Sequence, residues 1–505
     1  MSSKKCNKMG LYGFFCGLLF CASELIAAKP VFTIVTQNNL PKEVMANSIL
    51  SIQYLVKNET LHTRQLTMRS ISGVTVYNPG QSEACTLPFT LAPGESCQLN
   101  LKLNASQMGR GIRKKGPVIC KTRGPNDPRP SSFLCAQPSE SDSLDVKVLP
   151  CTSGRCLPNA LASSLRQLTT AYRQQFGIPA VVAGVWLPGQ GELIIEEGYA
   201  DLNSLTPVSR LDHVRIGSIT KSFTVTVMLQ LISEGKLSLQ TMLSAFMPAL
   251  QNSNATMAQL ADMRSGIFNF TEDAALDEEL FQDLTRFWLP AQLINAANQN
   301  LPYFPAGADW HYSNTNTVII GSIIEQLSQR PIWQEIEQRI LTPLGLKNTF
   351  YPLTLDLPTP FAHGYGFSPL EDVTNTNPSF AGASGAMISR LDDLKRWAVA
   401  LGQGLVLTPA MQAQRIASLQ PIVFAPCPDT VPGRPLVTCP EYNRYGLGIG
   451  ELSGWIGHTA EFFGYSAVVM YNPQSQGVIV IWMNIFGVGE HLPTKLFLEY
   501  LTVLS

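Results

Sequence analysis

The stretch Arg215-Ile216-Gly217-Ser218-Ile219-Thr220-Lys221-Ser222-Phe223, leading into the mostly apolar segment 225–232 and closed by Gly235, constrains this chain more than any other. The pattern predicts a helix that begins at Ser218. Serine and lysine three positions apart on a helix lie on one face. A serine hydroxyl is a poor nucleophile until a neighbour takes its proton. A lysine held close, partly out of water and near other positive charge, can give up its own proton and act as that neighbour. The free N–H groups and positive dipole end of a helix N-terminus suit a developing oxyanion. Nucleophile, base and oxyanion donor can therefore share one turn. The same spacing also occurs at Ser2-Ser3-Lys4-Lys5, and Ser218 read alone is more simply a helix N-cap beside a solvated Lys221. The rest of the chain has to decide.

At 505 residues the chain exceeds one ordinary core, so two domains are expected. A net charge of −1 with no basic block excludes a nucleic-acid footprint, and no nucleic-acid partner is expected. Lys4, Lys5 and Lys8 ahead of the short apolar stretch 11–22, with Ala27-Ala28 behind it, read as an export signal over residues 1–28. A periplasmic or secreted protein is expected. Of the eleven cysteines, three fall in that segment. The remaining eight favour disulfides in an exported chain. Neighbour pairing gives Cys85–Cys97, Cys120–Cys135, Cys151–Cys156 and Cys427–Cys439, although sequence alone leaves the connectivity open. Paired Cys-x-x-Cys or clustered histidines that would hold zinc are lacking, and no metal or organic cofactor is expected.

Residues 29–150 read as a small all-β, immunoglobulin-like domain. Its strand-like runs are 31–35, 49–56, 66–76 and 97–103, punctuated by Pro79-Gly80 and Pro93-Gly94. Such a module either stabilises its neighbour or engages a cell-wall or surface partner. Residues 151–160 form a linker, and 161–505 a second domain. Leu161, Leu165, Leu168, Tyr172 and Phe176 recur at helical spacing before Gly177 and Pro179. Strand-like runs follow at 180–186 and 192–199, helices dominate 240–350, and strands return at 445–452, 466–472 and 478–483 before a last helix at 493–503. Hairpins at both ends with helices between them predict an α+β domain whose antiparallel sheet joins distant parts of the chain.

Two patches join Ser218 and Lys221. Tyr312-Ser313-Asn314 offers a phenol that can relay a proton and a carboxamide that can hold a substrate amide and the lysine; alone it could equally be a helix-entry turn. Gly457-His458-Thr459-Ala460-Glu461 offers a strand edge with a cation, a hydroxyl and an N–H for an oxyanion hole, or merely a strand histidine. A third patch, 384–394, reads as structural, with Ser389 and Asp392 close to a capping box.

The order Ser218-x-x-Lys221, Tyr312-x-Asn314, His458-Thr459-Ala460 resembles the penicillin-recognising serine hydrolases, in the class C β-lactamase-like branch that includes serine D-alanyl-D-alanine carboxypeptidases and esterases. Met263-Arg-Ser-Gly-Ile267, Gly382-Ala-Ser-Gly-Ala386 and Phe462-Phe-Gly-Tyr465 support it, and the match spans about 160–505. The resemblance implies a β-lactamase/transpeptidase-like domain, an antiparallel sheet flanked by helices. It implies acylation of Ser218 assisted by Lys221, with Tyr312 as proton shuttle. Asn314 would orient substrate and Lys221, the N–H groups of Ser218 and Glu461 would form the oxyanion hole, and His458 and Thr459 would meet a substrate carboxylate. A carboxypeptidase acting on peptidoglycan-like peptides is the leading expectation. An esterase, a β-lactamase and a catalytically weak binding protein are the alternatives, and the substrate is a small peptide, ester or β-lactam. Ala460 stands where the family usually has glycine, so a methyl is expected to crowd a strand-bound substrate.

Overall fold

The computed structural model describes residues 31–504 apart from 38–39, 41, 47–48, 79, 81–82, 110, 113–115, 150, 152–154, 368, 423–441 and 488–490. The segment 1–28 expected to direct export and the expected Cys427–Cys439 pair therefore lie outside the described residues. The chain divides into two compact units, with the main boundary between Leu149 and Pro150.

The first unit is all β. One four-stranded sheet runs in the order Phe32–Thr36, Ile49–Asn58, Ser96–Asn104, Val74–Val76; another runs Asp127–Ala136, Ile119–Gly124, Arg64–Met68, Phe89–Leu91. Cys97, Leu99, Leu101 and Leu103 are buried at every second position of their strand, as are Ile52, Tyr54 and Val56 opposite them. The run expected as one strand over 66–76 is two. Arg64–Met68 joins one sheet and Val74–Val76 the other, and the chain turns between them at Gly73, whose φ is +76°. Disulfides join Cys85–Cys97 and Cys120–Cys135 here, and Cys151–Cys156 at the start of the second unit, so three of the four neighbour pairs are present.

The second unit is α+β. The hairpin Ala180–Leu187/Gly191–Asp201 pairs through its first strand with Val478–Met483, 300 residues later at Val182↔Trp482. The sheet then continues through Tyr465–Tyr471 and Trp455–Phe462 to the short strands Gly450–Leu452, Arg444–Tyr445 and Gln420–Pro421. The expected single strand at 445–452 is instead two short antiparallel ones. Every residue of Ala180–Leu187 and Val478–Met483 is buried, because both sheet faces are covered. Val182, Val480 and Trp482 share one core with the helices Ile219–Ser233, Asn314–Ser328 and Leu391–Gln403. On the other face lie the helices Asn159–Gln175 and Leu492–Leu504, tied by the 2.5 Å bond between the Thr169 and Tyr500 hydroxyls.

The Ile219–Ser233 helix is buried round its whole circumference from Ile219 to Leu229, including Thr220, Lys221, Ser222, Thr224 and Thr226. The hydroxyls of Ser222, Thr224 and Thr226 are internally satisfied. Thr226 Oγ1 donates to Ser222 O, Trp397 Nε1 donates to Ser222 Oγ, and Thr224 Oγ1 donates to Ala383 O. A buried helix anchored this way holds its first turn rigidly, and that turn carries Ser218.

Candidate active site

Ser218 precedes the first helical residue with helical backbone angles (φ −61°, ψ −10°), and its hydroxyl caps no N–H. The hydroxyl instead meets Lys221 Nζ at 2.9 Å. Lys221 is fully buried and its Nζ has two further neighbours, Asn314 Oδ1 at 2.6 Å and the Ser384 carbonyl at 2.9 Å. Both of those can only accept. A neutral amine satisfies all three at once, with two N–H donated to the acceptors and the lone pair left for the Ser218 hydroxyl proton. Burial pushes the Lys221 amine well below its ordinary 10.5, in the direction of that neutral form.

Tyr312 lies beside this pair, with its ring 4.8 Å from Lys221 Nζ. Its hydroxyl is buried and has no hydrogen-bond partner of ordinary length and angle among the described residues. Burial, with a smaller contribution from Tyr442, pushes the phenol well above 10, while the Ser218 hydroxyl acts the other way. Tyr312 is therefore a protonated phenol at neutral pH.

Asn314 opens the Asn314–Ser328 helix. Its Nδ2 donates to Thr271 Oγ1 at 3.1 Å and its main-chain N–H to Asn269 Oδ1 at 3.0 Å, so its carboxamide oxygen is turned to Lys221. On the opposite wall, the Trp455–Phe462 strand brings Thr459, Ala460 and Glu461 to a cavity that Ser218, Tyr312 and Asn314 also line. Gly217 lets this strand approach. Its φ is +43°, and an added β-carbon would stand 2.5 Å from Glu461 O. The rest of the cavity wall is largely apolar, with Phe270, Leu280, Phe281, Phe380, Phe462, Phe463 and Phe486.

His458 departs from expectation. It is buried, with Nε2 3.0 Å from the Tyr445 hydroxyl and Nδ1 2.6 Å from Thr459 O and 3.0 Å from the Tyr442 hydroxyl. These partners assign the proton to Nδ1, donated to the carbonyl, and Nε2 accepts from Tyr445. Burial, and then the nearby Lys221, pull the imidazole down to about 3. At neutral pH His458 carries no charge and does not line the cavity, so it offers a substrate carboxylate no cation. The physical reason is position: the ring packs behind the strand edge under two phenols, where a charge would be desolvated.

The 384–394 patch is also corrected. Ser384 is part of the site through its carbonyl. The expected capping box does not form: Arg390 occupies the N-cap of Leu391–Gln403 without a side-chain cap, and the Ser389 hydroxyl pairs with Thr349 at 2.9 Å. Asn269, Thr271, Tyr442 and Tyr445 were not foreseen either. The one available signal was Met263–Ile267, which ends two residues before Asn269. Among the described residues no cluster of three or more His, Cys, Asp or Glu could hold a metal ion.

A serine–lysine centre at the head of a buried helix, on an antiparallel sheet that joins both ends of an α+β unit, defines a class of acyl-transfer hydrolase. The Beta-lactamase family model matches residues 165–500, and the chain belongs to that family. Its second unit has the β-lactamase fold. A D-aminopeptidase of Brucella anthropi is 27% identical over 192 residues, covering 37% of this chain and 35% of that protein. The protein flp of Staphylococcus aureus strain MW2 is 28% identical over 232 residues, covering 42% and 45%. The chain thus spans less than half the length of these two relatives. A D-stereospecific amidohydrolase from a Streptomyces species superposes with a TM-score of 0.56 at 29% identity, over 67% of this chain and 97% of that one. A D-amino acid amidase from Ochrobactrum anthropi SV3 shares the fold, with a TM-score of 0.58 at 21% identity over 68% and 98%.

Proposed function

We propose that the protein hydrolyses amides and esters of small amino acids through an acyl-enzyme on Ser218, and prefers uncharged leaving groups to the terminal D-alanine of a peptidoglycan-like peptide. The observation that carries this reading is the missing cation. No described residue lining the cavity is a lysine or arginine, His458 is neutral behind the strand, and burial pulls His491 down to about 4. A carboxypeptidase must hold its substrate's carboxylate, and a desolvated carboxylate without a partner is costly. The D-aminopeptidase, D-stereospecific amidohydrolase and D-amino acid amidase among the similar proteins add D-configured amino-acid amides as the substrate class.

In this mechanism neutral Lys221 accepts the Ser218 proton through its free lone pair while Asn314 and Ser384 hold its two N–H bonds. Ser218 Oγ attacks the carbonyl carbon. The oxyanion is met by the Ser218 and Glu461 N–H groups. Tyr312 gives its phenol proton to the leaving nitrogen or oxygen and is reprotonated from Lys221. Water then cleaves the ester of Ser218 by the same groups in reverse. The eight cysteines and the 1–28 segment support export, with the all-β unit travelling alongside.

The test is kcat/KM on D-alanine amide, D-phenylalanine amide, a nitrophenyl ester, a diacylated Lys-D-Ala-D-Ala peptide and a penicillin. The amides and the ester should exceed the D-Ala-D-Ala peptide by more than about tenfold. Dominant release of terminal D-alanine would instead favour the carboxypeptidase reading, for which the Tyr312-Ser-Asn314 and His458-Thr459 pattern speaks.

A further inference from the structure

Behind Asn314 a chain of hydrogen bonds leads away from the cavity, and each link has only one workable direction. Glu272 stands at the far end of the Phe270–Glu272 turn. Its Oε1 accepts from Asn269 Nδ2 at 3.0 Å, and its Oε2 accepts from the Tyr303 hydroxyl at 2.6 Å. The Tyr303 oxygen in turn accepts from the Asn269 main-chain N–H at 3.0 Å. An ionised carboxylate can only accept. It therefore draws the NH₂ end of the Asn269 amide toward itself and leaves Oδ1 pointing the other way, where it takes the Asn314 N–H at 3.0 Å. Asn269 is only 1% exposed.

The same turn grips Asn314 and its neighbour at further points. Thr271 Oγ1 accepts from Asn314 Nδ2, and the Phe270 N–H donates to Thr315 Oγ1 at 3.0 Å. With its NH₂ engaged by Thr271, Asn314 can offer Lys221 only its carboxamide oxygen. The Glu272–Asn269 pair thus holds the Asn314 main chain, and Thr271 of the same turn leaves the Asn314 carboxamide oxygen facing the lysine.

We propose that Glu272 is a positioning residue for this centre: acting through Asn269 and Asn314, it fixes the acceptor that holds Lys221 Nζ, and Tyr303 keeps Glu272 in place. This rests on Ser218 and Lys221 being the reacting pair, as in the proposed function. Outer partners of a reactive group commonly contribute 10- to 100-fold, about the cost of misplacing a reacting group by an ångström.

The experiment measures acylation of the full chain by a fluorophosphonate probe and by a nitrophenyl ester, with Glu272→Ala, Glu272→Gln and Ser218→Ala compared to the parent. Thermal denaturation is followed in parallel. Glu272→Ala should lower the ester kcat and the probe labelling rate by about 10- to 100-fold, with KM within about twofold. Glu272→Gln keeps an oxygen for Asn269 Nδ2 and should restore the rate to within about threefold of the parent. A fall in melting temperature with an unchanged kcat would make Glu272 a merely structural turn residue and overturn the proposal. A rise in KM with kcat unchanged would make it part of substrate binding and overturn it as well. Labelling that persists in Ser218→Ala overturns the underlying reading, whereas loss in Ser218→Ala beside full activity in Glu272→Ala overturns the positioning role alone.

Discussion

The two walls of the cavity each bring a basic side chain out of water, and they use it differently. On the helix side, Lys221 is surrounded by two fixed acceptors and one hydroxyl, so that its neutral form would aim a lone pair at Ser218. On the strand side, His458 is held by two phenols and a carbonyl of its own strand, with both ring nitrogens occupied. Burial is the largest cause of the lowered basicity in both. The difference lies in what each nitrogen faces: the proposed mechanism uses the desolvated Lys221 as a base, whereas His458 is held within the scaffold.

The largest break in this comparison is removal of the nucleophile. Ser218→Ala should abolish turnover and covalent labelling with the fold intact by circular dichroism. Loss of a nucleophile that acts as part of a unit costs about 10⁴- to 10⁶-fold. Next comes the contact that keeps the walls together. Gly217→Ala puts a methyl against Glu461 O at a positive φ, and acylation should fall by about 100-fold, since ångström-scale displacement costs that much. Stopped-flow acylation checks it, and an unchanged rate would show that the Glu461 strand edge is not needed.

His458 sharpens the contrast through pH. Its folded value of about 3 lies below the ordinary 6.5, so the unfolded chain binds more protons between these values. Stability from this group is fully present above about 6.5 and declines as pH falls, by about 1.4 kcal/mol per pH unit. Urea denaturation of His458→Asn and the parent at pH 7.5 and pH 5.5 should show a shallower loss in the variant. The rate profile of the parent should show no ionisation near 6.5. The smallest effect belongs to Ala460, which lines the cavity while lying 5% exposed. Ala460→Gly should raise acylation by penicillin a few-fold more than ester turnover, by relieving the strand edge; an equal change in both rate constants would show that the methyl does not govern substrate choice.

Sequence brought together the residues of the candidate site because serine, lysine, phenol and amide sit in short motifs whose local spacing survives folding. The α+β class was legible from hairpins at both ends of the second unit, and neighbour pairing found three disulfides. What was hidden depends on contacts between distant segments. The neutrality of His458 follows from Tyr442 and Tyr445, which arrive on residues before Gly450–Leu452 and close over the ring. The role of Ser384 belongs to a carbonyl, which no residue type announces. The Asn269–Glu272 turn carries no reactive group, and its orienting bonds exist only once it packs on the Asn314–Ser328 helix.

The protonation state of Lys221 is read most directly from the single-turnover acylation rate of Ser218 as a function of pH, with the adduct confirmed by peptide mass spectrometry. A Lys221 amine already neutral in the folded site predicts a rate that levels off far below pH 10.5. A rate that keeps climbing tenfold per pH unit up to that value would mean that the lysine is an ordinary ammonium and that another group takes the serine's proton.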